Sequence, residues 1–254
     1  EMVIRDWSSD VCSSDLNIPK SFKKYFPIFY GCNESLNQYS IEKIKGITLS
    51  YLYVNESLTR DVFSRYLNVI YELHKYQLCE QDDIDIYSNY NDKLILRYNG
   101  YNYEQYSGSN VIYSQLLEYF NTYKNLNKGS LGMIHGDPVL SNCLLDKNGN
   151  FKLIDMRGQL GNKLSIYGDI YYDLGKIYQS IIGYDEIMMC KSVSQNYKNM
   201  IIDTFTQFIE KYYGEDAIIK VKMICNMLLF TLLPLHDNDK CIDYYGLIKI
   251  DAKN

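Results

Sequence analysis

Three polar side chains stand in a telling order between Ile134 and Asp173. Asp137 closes the run His135-Gly136-Asp137, Asn142 follows a few positions later, and Asp155 comes after a short apolar run. Transfer of a phosphoryl group from a nucleotide needs such a set. One carboxylate accepts the proton of the attacking hydroxyl. An amide and a second carboxylate hold the magnesium that neutralises the phosphates. On this reading Asp137 is the base, and Asn142 and Asp155 are the metal ligands.

These residues meet only if local structure brings them together. Cys143–Asp146 (CLLD) and residues 151–155 (FKLID) read as short apolar strands, and Lys147-Asn148-Gly149-Asn150 between them is a hairpin turn signal. The hairpin returns Asp155 to the side of Asn142. Residues 25–31 and 38–45 read as two further strands joined through Asn33-Glu34-Ser35, with Gly46 and a helical region after them. Within 57–77, Leu58, Val62, Phe63, Leu67, Ile70 and Leu73 recur at helical spacing, and residues 111–123 do likewise. Asp169 can cap a third helix with Ile170, Leu174, Ile177 and Ile181 on one face. A fourth spans 200–213 and stops at Gly214; a fifth spans 217–233 and stops at Pro234.

The loop H-G-D-x-x-x-x-N, the I-D that ends the hairpin, and the Gly168-Asp169 and Tyr172-Asp173-Leu174 pattern opening the next helix resemble the aminoglycoside phosphotransferase and choline kinase family, small-molecule relatives of the protein kinases. The resemblance implies an α+β, protein-kinase-like two-lobe fold. Residues 17–48 would be the remnant of a small β lobe with its hinge. Residues 49–254 would be a large, mainly helical lobe carrying the catalytic loop 134–142 and the metal-binding hairpin 143–155. It also implies ATP and Mg2+ as cofactors and a small-molecule alcohol as acceptor. Adenine would meet backbone groups at the hinge Glu42-Lys43-Ile44, so Glu42 and Ile44 are the nucleotide-side candidates; Glu42 reads equally well as a strand-capping or surface carboxylate. His135 would pack beneath the turn and shape the loop. One of Asp169 and Asp173 would receive backbone N–H groups of the loop, the alternatives being an N-cap for Asp169 and a surface charge for Asp173. No Lys lies between Asp137 and Asn142, where protein kinases carry a basic residue. Arg157 could supply positive charge to the γ-phosphate or to an anionic substrate, or form a salt bridge across the cleft. The C-terminal helices would line the acceptor pocket.

Residues 154–183 are most similar to a subgroup encoded with bacterial capsule and surface-polysaccharide genes, which points to a sugar or related alcohol as acceptor. The family's phosphate-covering hairpin, strand Lys and helix Glu cannot be placed before Tyr25. Residues 6–16 (DWSSDVCSSDL) resemble the translation of a common sequencing adapter. Residues 1–16 are therefore expected to be an artefact or a disordered tail, and the chain to be an N-terminally shortened form with poor or no kinase activity. The alternative from another class is a non-catalytic nucleotide- or partner-binding module built on a kinase large lobe. A metallohydrolase would want more His ligands than the three present.

With 254 residues, 46% of them hydrophobic, the chain can bury one large core or two lobes sharing a cleft. A formal net charge of -5 argues against nucleic acid as partner. Seven cysteines, an odd count without a CxxC, read as buried free thiols of a cytoplasmic protein. The apolar run at 223–235 reads as too short and broken for membrane insertion. The 27 tyrosines read as the codon bias of an AT-rich genome rather than a stacking role.

Overall fold

A computed structural model describes residues 18–32, 39–76 and 84–250. The adapter-like segment 6–16, the turn at 33–35, Cys12 and Cys79 lie outside these residues. Of the described cysteines, Cys143, Cys225 and Cys241 are buried free thiols, whereas Cys190 is exposed.

Strands β1 (Phe29–Cys32) and β2 (Tyr39–Ile41) pair antiparallel and are shorter than the sequence suggests. Tyr25, expected to open the first strand, instead ends a 3-10 turn (Lys23–Tyr25), because Phe22 and Phe26 on either side are drawn into the core. The second run splits. The Glu42 N–H donates to Ile28 C=O (2.8 Å) and ends the β1–β2 ladder. Residues 46–48 then join another sheet as β3 (Gly46–Thr48). This sheet has the order β3-β5-β6, with β5 (Cys143–Asp146) and β6 (Phe151–Leu153) forming the expected hairpin. Gly46 permits the join, since a Cβ there would lie 2.9 Å from the Leu145 carbonyl oxygen. The hairpin turn is stitched by Asp146, whose Oδ1 accepts the N–H groups of Asn148 and Asn150, both at 2.8 Å.

Thr48 caps α1 (Leu49–Val54), and Thr59 caps α2 (Arg60–His74), each accepting an N–H in its first turn. α2 buries Phe63, Tyr66, Leu67, Ile70 and Leu73. α3 (Asn91–Asn99) has only Leu94 buried, so it lacks the apolar period that announces a helix. α4 (Ser109–Asn125) leads to β4 (Leu131–Met133), which pairs with β9 (Tyr167–Asp169). Between them come the loop 134–142, β5–β6, and a small ribbon of β7 (Gln159–Leu160) and β8 (Lys163–Leu164). α5 (Ile170–Gln179) continues through a π-turn at Ser180–Tyr184, kinked at Gly183, into α6 (Asp185–Met189). α7 (Gln195–Tyr213) ends at Gly214, α8 (Ala217–His236) runs through the core, and α9 (Cys241–Gly246) closes on it.

α8 does not stop at Pro234 as its sequence suggests. Proline removes the N–H that would serve the carbonyl one turn back, here that of Phe230. The Tyr103 hydroxyl donates to that carbonyl instead (2.8 Å), and the Arg97 guanidinium donates to the next one, of Thr231. With the orphaned groups satisfied, the helix continues to His236. Its 20 residues are therefore long and apolar enough to cross a membrane, contrary to the reading of 223–235 alone. In this fold that apolar surface is packed against α4, α5, α7 and α9. The Tyr103→Phe variant should lose about 1–3 kcal/mol in urea unfolding, because it leaves a buried carbonyl unpaired. Adding Pro234→Ala restores a backbone donor and should recover part of that loss; additive losses would refute the compensation.

Candidate active site

The loop carrying His135-Gly136-Asp137 is held from beneath by one carboxylate. Asp173 is fully buried on α5, and its two oxygens accept the N–H groups of His135 (2.7 Å) and Gly136 (2.8 Å). His74, from α2, places Nε2 3.3 Å from the same carboxylate, while its Nδ1 meets the Tyr213 hydroxyl at 2.7 Å. Gly136 has φ +82, and a Cβ there would sit 2.6 Å from the Arg157 Cβ, so this turn accepts only glycine. Tyr66 adds a hydroxyl donated to the Pro138 carbonyl. Asp173 is thus the carboxylate that takes loop N–H groups, not a surface charge. Asp169 is the N-cap of α5. It accepts the Tyr171 N–H (3.2 Å), the Ser130 N–H (3.1 Å) and the hydroxyls of Tyr90 and Tyr123 (2.7 Å each). Burial still raises its carboxyl above the ordinary range.

His135 is fully buried, with its ring stacked on Phe26. Its Nδ1 accepts the Asp137 N–H at 3.2 Å, which places the ring proton on Nε2. Burial lowers the imidazole pKa against the pull of Asp173, Asp137 and Asp155, so the ring is neutral. It orients the backbone of Asp137.

The Ile154 N–H donates to Asn142 C=O (2.9 Å), and the Arg157 N–H donates to His135 C=O (2.8 Å). These two bonds lay the segment after β6 along the loop and bring Asp155 beside Asn142. Asp155 adopts φ +58, a left-handed conformation that Asp tolerates better than most residues. The Asn142 amide donates to the Asp137 carbonyl (3.0 Å) and to Asp137 Oδ2 (3.2 Å). Its Oδ1 is then the atom left to face a cation. An amide oxygen and a carboxylate are hard donors, and a pair of them suits magnesium, which takes its other ligands from phosphates and water. Among the described residues no group of three His, Cys, Asp or Glu side chains could hold a metal alone.

The other Asp137 oxygen meets a residue the sequence reading missed. Lys176 Nζ lies 2.9 Å from Oδ1, in ion-pair contact. Burial raises the Asp137 carboxyl, but Lys176, His135 and Arg157 outweigh it and hold the pKa below the ordinary value. The side chain remains 37% exposed, although Oδ1 itself is shut off from solvent. Burial pulls the Lys176 ammonium down, and Asp137 more than offsets this. One signal was present in the sequence: Asp173 and Lys176 are three apart on a helix and share a face. Tyr172, also on α5, accepts hydrogen bonds at its hydroxyl from Lys93 Nζ (3.0 Å) and Arg157 Nη1 (3.1 Å). Among the described residues no carboxylate pairs with Arg157, so the expected salt bridge across the cleft does not form there.

Glu42 and Ile44 sit apart from this loop. Glu42 Oε2 accepts the Ile28 N–H (3.1 Å) and lies 3.4 Å from Lys152 Nζ on β6, a strand-capping arrangement. Ile44 is half-buried in the irregular stretch between β2 and β3. A recess of about 550 Å3 beside Tyr119, Met223 and Ile250 contains none of the candidate residues.

No family model matches the chain, and no curated protein matches it by sequence. Solved structures do match. Choline kinase LicA from Streptococcus pneumoniae superposes with TM-score 0.58 at 13% identity, covering 94% of this chain and 78% of that one. A choline/ethanolamine kinase family protein from Mesorhizobium loti gives 0.61 at 10% identity, covering 98% and 80%. An aminoglycoside phosphotransferase from Streptomyces rimosus, in complex with ADP and streptomycin, gives 0.56 at 13% identity, covering 88% and 85%. The fold is the α+β, protein-kinase-like fold of these proteins, with a smaller sheet part and a mainly helical remainder.

The basic surroundings of Tyr172 have a spectroscopic consequence. Burial raises the phenol, but Lys93, Lys176 and Arg157 bring it down to about 7. Phenolate absorbance should therefore show a step near neutral pH that vanishes in Tyr172→Phe and moves upward in Lys93→Gln. A folded-state pKa below the ordinary 10.0 means that this group's stabilisation is complete above pH 10 and is lost as pH falls through about 7. A titration with no early step would rule out the cluster as drawn.

Proposed function

We propose that this chain transfers the γ-phosphate of ATP to a hydroxyl of a small molecule. The observation that carries the reading is the convergence of Asp137, Asn142 and Asp155 on a loop whose backbone is pinned by Asp173. Asp137 is ionised, exposed enough to be reached, and oriented by Asn142 and Lys176, which suits a base that takes the acceptor's proton. Lys176 supplies the positive charge that protein kinases place inside the loop itself. Asn142 and Asp155 would hold magnesium, which supplies neutralisation of phosphate charge when bound with the nucleotide. The irregular stretch at Glu42 and Ile44 is the proposed seat of the adenine edge. Solved structures of similar fold named as choline, ethanolamine and glucosamine kinases support the reaction class, and complexes with AMP and ADP among them support the nucleotide. The sequence pattern at 154–183 supports a sugar or related alcohol, in surface-polysaccharide metabolism, as the acceptor.

In a form that carries the family's phosphate-covering hairpin and strand Lys, Asp137→Asn should lower ADP formation by about 10²–10⁴-fold while ATP binding stays nearly unchanged, because the base is lost without touching the phosphates. Turnover within about tenfold of the parent would sink the assignment. Asn142→Ala and Asp155→Ala should each weaken nucleotide binding in magnesium but not in its absence. Calorimetry showing the same magnesium dependence in all three proteins would count against these two residues as ligands.

A further inference from the structure

The cations near Asp137 exceed what Asp137 needs. Among the described residues Lys176 is its one ion-pair partner. Lys93 and Arg157 instead converge on a single phenol oxygen, at 3.0 and 3.1 Å. Among the described residues neither of them has a carboxylate partner, and the nearby Arg97 donates to a backbone carbonyl. Lys93 is half-buried, and a partly desolvated charge is costly; near neutral pH one phenolate, Tyr172, offsets only one of the two cations that bond it. In a chain of net charge -5 this concentration of positive charge is local, not general.

Its position says which ligand it serves. Asp137 turns Oδ2 to Asn142, the side of the candidate metal ligands, and Oδ1 to Lys176. Tyr172 and Lys176 are one turn apart on α5, and Lys93 comes from α3, in the helical part of the fold. The cations therefore line the Lys176 side of Asp137, in the helical part of the fold. An acceptor lying along these cations would bring its hydroxyl to the exposed part of Asp137, since Oδ1 itself is shut off from solvent. After bonding Tyr172, Lys93 keeps two N–H donors and Arg157 keeps four, enough to grip several oxygens of one anion.

We propose that the acceptor is an alcohol that also carries an anionic group, phosphate or carboxylate, gripped by Lys93 and Arg157 above the Tyr172 hydroxyl. This inference rests on the phosphotransfer reading and narrows its substrate class. It sets the chain apart from the kinases of similar fold named for choline, ethanolamine and glucosamine, whose amines a cationic pocket repels.

The test is binding, read without turnover. Calorimetric titrations with glycerol 3-phosphate, glycerate, glycerol and choline should show at least one anionic alcohol binding about tenfold or more tightly than the two others, the effect of a charge-assisted hydrogen bond. The ratio of glycerol 3-phosphate to glycerate affinity separates phosphate from carboxylate. Lys93→Gln should abolish the preference and leave the affinity for a non-hydrolysable ATP analogue nearly unchanged; Arg157→Gln, at an exposed position, repeats the test should the first variant fail to fold. Choline or glycerol binding as tightly as both anions overturns the proposal, as does no binding of either anion. Loss of nucleotide affinity in Lys93→Gln, with anion binding intact, also overturns it, since the cluster would then seat the nucleotide's phosphates. A form that carries the phosphate-covering hairpin and strand Lys, shows the anion preference and still releases no ADP with any acceptor refutes the phosphotransfer reading and leaves the anion site standing.

Discussion

The site depends on one buried carboxylate. Asp173 has no exposure to water, and two consecutive backbone N–H groups and His74 surround it. A buried charge with its donors in place is rigid, because any displacement leaves it unsatisfied. The loop above it is fixed by the same bonds. Their aim is set in turn by how closely α5 lies on α8. At Gly175 a Cβ would stand 2.6 Å from Ile224 Cγ2, so the absence of a side chain lets the two helices meet. Core packing thus determines where Asp137 stands.

Around that fixed point the charges divide by direction. Asn142 and Asp155 gather oxygen ligands on one side of Asp137. Lys176, Lys93 and Arg157 gather nitrogen on the other. The proposed phosphoryl transfer would set an electron-rich acceptor against an electron-poor phosphorus, and a carboxylate between two regions of opposite charge could serve both. The balance is narrow. Burial alone would raise the Asp137 carboxyl, and the neighbouring Lys176 and Arg157 bring it below its ordinary value.

The parts legible in the sequence were the local ones. The hairpin at 143–155 could be read because its turn carries Asn148-Gly149 between apolar runs, and the loop could be read because its polar residues lie close together. α2 and α4 announced themselves by apolar period. What escaped depends on distant segments. Lys93 meets Tyr172 from a helix with one buried apolar residue, so neither the helix nor its partner had a pattern to show. β3 separates from β2 because Glu42 folds back on Ile28, a bond between residues fourteen apart. Pro234 was read as a stop because the Tyr103 hydroxyl that compensates for it comes from another element. Asp169 and Asp173 could not be told apart in sequence, since the choice between them turns on which one lies under the loop.

The abundant tyrosines bear a different meaning in the folded chain than in its composition. Tyr66 donates beneath the loop, Tyr90 and Tyr123 satisfy Asp169, and Tyr53 donates to the Ile181 carbonyl at 2.9 Å. Each ring fills the core while its hydroxyl serves a buried acceptor. Tyr and Phe codons differ by one base, so mutation supplies the exchange constantly, and an AT-rich genome does nothing to discourage it. At Tyr30, 66% exposed, the exchange is nearly free. At the buried positions it preserves shape and leaves an acceptor stranded, so selection would hold the hydroxyls there even as drift recoded the surface.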